Sequence, residues 1–97
     1  MYARITFGKS KPGKEDDNFH ITKDSVIPAA LQQKGFSGLY LMLDRKNNKS
    51  ITITLWETEA DMMAAETNGF YQQQVAKFKD IVSEQPNREV YEVSIKP

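Results

Sequence analysis

Apolar and polar positions alternate from Tyr2 to Gly8, with Ala3, Ile5 and Phe7 on one side and Tyr2, Arg4 and Thr6 on the other. A period of two suits a strand. Lys9 to Asp17 is a charged run around Pro12-Gly13 and reads as a loop. From Asp17 to Gln33 the spacing becomes helical, with Phe19, Val26, Ile27, Ala30 and Leu31 along one side. Pro28 lacks an amide donor and crowds the carbonyl of Asp24, which predicts a kink or break near Ile27. Gly35 is the natural stop.

Leu39 to Asp44 and Ser50 to Glu57 form two more strands. Arg45 to Lys49 joins them as a polar turn whose asparagines tolerate left-handed geometry. Thr58, with Asp61 three residues on, marks a helix start. Asn68-Gly69 interrupts that helix, and Tyr71, Val75, Phe78 and Val82 continue a helical stripe. Pro86 ends the region, and Arg88 to Ile95 is the last strand. The order β-α-β-β-α-β over residues 1–97 predicts one α+β domain. Its expected form is ferredoxin-like: a four-stranded antiparallel sheet with helices on one face.

A turn centred on Asn47 sets Leu43 opposite Ile51, Leu41 opposite Ile53 and Leu39 opposite Leu55. These six make one face of the hairpin; Tyr40, Met42, Thr52, Thr54 and Trp56 make the other. Neither face carries a charge. An antiparallel sheet with a wet side alternates apolar with charged residues. Burying six Leu or Ile side chains is worth on the order of 10 kcal/mol, comparable to the whole stability of such a domain. Helices cover only one face, so a second copy of the chain, packed across a two-fold axis, is the expected cover for the other.

Composition narrows the rest. Thirteen basic and thirteen acidic residues balance in a chain of 97, which gives no pull toward nucleic acid or an anionic membrane. Without cysteine there is no disulfide framework or thiolate site, and the single histidine, His20, does not supply the ligands of a structural zinc site. No apolar run spans a membrane, and the N-terminus lacks a signal-peptide core, so a cytoplasmic protein is expected. Lys34 to Leu41, KGFSGLYL, imitates the main RNA-binding signature of RRM domains. It lies on the second strand rather than the third, and Gly38 stands where an aromatic is needed, so no nucleic-acid partner is expected.

The segment Val26 to Glu66, with KGF after the first helix, LYLMLDR, TLWETEAD and the closing REVYEVSI, resembles the antibiotic biosynthesis monooxygenase (ABM) domain family. The resemblance implies a dimeric α+β barrel with a cavity between sheet and helices in each subunit. Some members are cofactor-free oxygenases that turn polycyclic phenols into quinones; others cleave haem. In the quinone-forming members the strand tryptophan has an asparagine four residues before it and a tyrosine six after it. Around Trp56 those places hold Thr52 and Met62. The haem-degrading members need a second tryptophan and a histidine where this chain has Ala65 and Val75, which disfavours haem.

The expected function is therefore binding of a small aromatic or lipophilic molecule beside Trp56, with cofactor-independent oxidation as its chemistry and no cofactor. The alternative is a non-catalytic dimeric module that binds without turnover. Thr52 and Thr54 share a face with Trp56 and offer hydroxyls; Tyr71 and Phe78 complete the candidate pocket. His20 is the candidate base toward a phenol, with Asp24 one turn later. Trp56 also has a plain reading, as an indole packed at the end of a sheet. Arg4 has two: an ion pair with Glu92 across the sheet, or contact with an anionic ligand.

Overall fold

The computed structural model describes every residue from Met1 to Pro97. Strand β1 (Tyr2–Lys9) leads through a loop to a bent helical arm, and β2 (Phe36–Asp44) and β3 (Lys49–Trp56) follow as a hairpin. Helices α3 (Glu59–Thr67) and α4 (Phe70–Ala76) then cross back to β4 (Asn87–Glu92). The four strands are antiparallel in the order β2-β3-β1-β4, the ferredoxin-like arrangement.

The bent arm resolves the Pro28 problem. Helix α1 (Glu15–Ile21) widens into a π turn (Thr22–Val26) before α2 (Ile27–Ala30). The amide of Ile27 reaches back to the carbonyl of Thr22, one residue further than in an α-helix. The wider turn accommodates a ring that supplies no donor, so the arm bends without breaking. Further on, the Thr58 hydroxyl accepts from the Asp61 amide at 3.0 Å and caps α3. Gly69, at φ 89°, separates α3 from α4 in a conformation that costs other residues strain.

The hairpin register differs from the expected one by a single residue. Asp44 pairs with Lys49, and the connecting loop is Arg45–Asn48. Asp44 organises it by accepting from the Asn47 amide at 3.3 Å and from Asn47 Nδ2 at 2.9 Å, while Asn48 takes the left-handed turn at φ 57°. A slip of one residue turns every side chain of a strand over. Leu39, Leu41 and Leu43 therefore lie opposite Thr54, Thr52 and Ser50, on the helix side. Ile51, Ile53 and Leu55 lie on the other side with Tyr40 and Met42. The six residues expected on one face are split between two.

The two faces now have clear characters. The helix side carries Arg4, Thr6 and Gly8 beside Thr54, Thr52 and Ser50, with the β2 leucines at the margin. The outer side runs Tyr40, Ile53, Ile5 in one row and Met42, Ile51, Phe7 in the next. No element of the chain packs over that outer side, and Tyr40 is 61 % and Met42 46 % exposed. The core lies at one end of the helix side: Ala30, Trp56, Met62, Ala65 and Phe70, with Tyr2 and Phe36 against them. No helix is long and apolar enough to cross a membrane.

Candidate functional site

Between the helix side of the sheet and the helical layer lies a cavity of about 380 Å³. Strands β1 and β3 supply its floor: Arg4, Thr6, Thr52, Thr54 and Ser50. Strand alternation places these polar residues on the same face, because their neighbours Ile5, Ile51 and Ile53 point away. The bent arm contributes Asn18, Thr22, Val26 and Ala30, which recur at intervals of four and so line one side of it. Helix α4 and the turn after it add Phe70, Tyr71, Gln74 and Phe78. The result is a half-open pocket whose exposed surface is mostly apolar, with a row of hydroxyls and further polar side chains, Asn18, Gln74 and Glu84 among them, in its lining.

Thr52, Thr54, Tyr71 and Phe78 are thus brought together around one space. Trp56 is not among them. It is fully buried, packed edge-on against Phe36 and Phe70 with ring centroids 5.6 and 6.3 Å away. Its indole N–H donates to Thr54 Oγ1 at 3.0 Å. The sheet end closes over the indole because Phe36, Met62 and Phe70 converge there. Trp56 supports the cavity from behind; it is no part of the wall.

His20 is also displaced from its expected role. It is exposed on α1, edge-on to Phe19 at 5.2 Å, and does not line the cavity. The arm turns Asn18 and Thr22 inward, and His20, between them, faces elsewhere. The one carboxylate in the lining is Glu84, on the loop before β4.

The residue that sequence reasoning underrated is Arg4. It is 2 % exposed on a central strand. Its Nη2 donates to the Met62 carbonyl at 3.0 Å and lies 3.3 Å from Glu66 Oε1. The expected partner Glu92 stands opposite Tyr2, while Val90 stands opposite Arg4. Glu66 also holds Arg88 in an ion pair, so both guanidinium groups share one carboxylate. The Tyr71 ring adjoins both, 4.8 Å from Arg4 and 4.6 Å from Arg88. Burial pulls the Arg4 pKa down, and Glu66 opposes that pull. The one legible signal was an arginine in phase with threonines on a strand.

No family model matches the sequence. An uncharacterized Mycobacterium tuberculosis protein, Rv2558, is 32 % identical over 65 residues; the match takes in 67 % of this chain and 28 % of that protein's length. Among solved structures, NE2512, a protein of unknown function from Nitrosomonas europaea, superposes at a TM-score of 0.78 with 22 % identity, covering 99 % of this chain and 91 % of that one. SnoaB, a cofactor-independent oxygenase from Streptomyces nogalater, superposes at 0.76 with 12 % identity, covering 98 % and 94 %. An antibiotic biosynthesis monooxygenase superposes at 0.75 with 14 % identity, covering 98 % and 100 %. The chain has the α+β, ferredoxin-like fold of the antibiotic biosynthesis monooxygenase domain proteins.

Proposed function

We propose that this protein binds a small aromatic or lipophilic molecule in the cavity between sheet and helices and oxidises it without a cofactor. The supporting observation is the half-open pocket itself, about 380 Å³, with mostly apolar exposed surface and a hydroxyl row from Thr52 and Thr54. Val26, Phe70 and Phe78 accept the rings, and the threonine hydroxyls orient the oxygens of the ligand. In this chemistry a polycyclic phenol loses its proton, and the ring carbon opposite the oxygen, carrying the delocalised negative charge, reduces dioxygen and gives up its hydrogen. One oxygen atom ends on carbon as a carbonyl and the other leaves as water, so the substrate supplies all the electrons. Glu84 takes the proton in place of His20.

The protein works as a homodimer in this reading, with a second copy over the outer side of the sheet. Tyr40, Met42 and Phe7 lie uncovered there, beside Ile51 and Ile53. The function is tested by oxygen uptake with a panel of polycyclic phenols that carry hydrogen on the carbon opposite the hydroxyl, each first assayed for binding. Uptake matched by loss of a bound substrate, and weakened in Glu84→Gln, supports it. Binding without uptake across the panel overturns the oxidation and leaves a ligand-binding module.

A further inference from the structure

We infer that the ligand of this cavity carries one negative charge on an oxygen, as a carboxylate or a phenolate, and that Arg4 is its counter-ion. The inference rests on the cavity being the ligand site, as proposed above. Arg4 lines the cavity. Its Nε is buried and has no hydrogen-bond partner. Buried donors are nearly always paired, and one left unpaired on a charged group is costly.

The charges beside it do not balance. Arg4 and Arg88 share the single carboxylate of Glu66, which leaves a formal charge of plus one. The sheet neighbours of Arg4 are Thr54 and Val90, neither of them charged. The Tyr71 face attracts both cations but cancels neither charge. Glu59 and Glu92 act on Tyr2, at the end of the strand. Glu84 and Lys79 in the lining offset one another.

A role in tying β1 to α3 accounts for the bonds of Nη2 to Met62 and Glu66. It does not account for the unpaired Nε or the surplus charge. A well-packed apolar residue would hold the same two elements together at less cost in desolvation. A ligand with one anionic oxygen balances the charge, and a small turn of the Arg4 side chain toward the cavity gives Nε its acceptor.

The test uses 2-naphthoate and 2-naphthamide, which match in shape and differ in charge, together with 4-nitrophenol, whose phenolate alone is yellow. The wild type is expected to bind naphthoate at least about ten-fold more tightly than the amide, or to lower the pKa of bound nitrophenol; the first identifies a carboxylate and the second a phenolate. Glu66→Gln removes the shared countercharge and is expected to widen the preference. Arg4→Met is expected to erase it while the amide still binds. Equal affinities with no shift in nitrophenol overturn the charge inference and leave the cavity reading standing. Failure of all three probes to bind overturns both.

Discussion

The indole Nε1 of Trp56 donates to Thr54 Oγ1 at 3.0 Å, so the one tryptophan of the chain is tethered to the floor of the cavity it does not enter. Thr54→Val keeps the side-chain shape and removes the acceptor. A buried donor is then unpaired, which costs about 1–3 kcal/mol. Thermal unfolding of the variant is expected well below wild type, with altered indole fluorescence. An unchanged melting temperature would show that the indole finds another partner.

Gly35 ends the turn into β2 at φ 80°, and a Cβ there would lie 2.6 Å from Asp61 Cβ. Its carbonyl also accepts from the Glu57 amide at 2.8 Å, which locks the turn against the end of β3. Gly35→Ala meets both the left-handed strain of about 1–2 kcal/mol and the collision with α3. Urea unfolding is expected to report a loss larger than the strain alone.

Acid acts on the hairpin loop through Asp44. The Asn47 side-chain amide, helped by the Asn47 and Lys46 backbone and the Lys49 charge, holds its carboxyl below the ordinary aspartate range. A pKa lower in the folded than the unfolded chain stabilises above the unfolded value of about 3.9. That contribution fades as pH falls through the folded value. A carboxyl NMR titration is expected to place the Asp44 midpoint low, and Asn47→Ala is expected to raise it toward the ordinary value.

The outer side of the sheet predicts association. At 11.1 kDa per chain, sedimentation of the wild type is expected to give twice that mass. Met42→Lys places a charge in the middle of the Met42, Ile51, Phe7 row, where burial without a partner is unfavourable. The variant is expected to shift toward the single-chain mass with its fold retained.

Much of the fold was legible because its signals are local. Alternation in β1, the Thr58 cap and the Gly35 stop each act within a few residues. The hairpin faces were not, because register depends on how Asp44 and Asn47 bond inside the loop. Shifting the centre of that loop by half a residue moved three leucines through the sheet. Pro28 announced a distortion, but whether the arm would break or widen depended on its packing. The strand phase that sets Thr52 and Thr54 on one face was legible; Phe78, counted into a helical stripe, lies in the turn after α4 ends at Ala76. Trp56 faces the side its strand phase gave, but Phe36, Met62 and Phe70, brought to it by the fold, cover it; His20 was singled out by chemical type, which does not say which way a side chain faces. Arg4 drew its meaning from Glu66 and Arg88, residues far along the chain that only the fold brings to it.

The most direct test of the account is chemical-shift mapping with 2-naphthoate on uniformly labelled protein. The account predicts the largest changes at Arg4, Thr52, Thr54, Tyr71 and Gln74, with Tyr40, Met42 and His20 unmoved. Changes centred on the outer side of the sheet, or on His20, would contradict it.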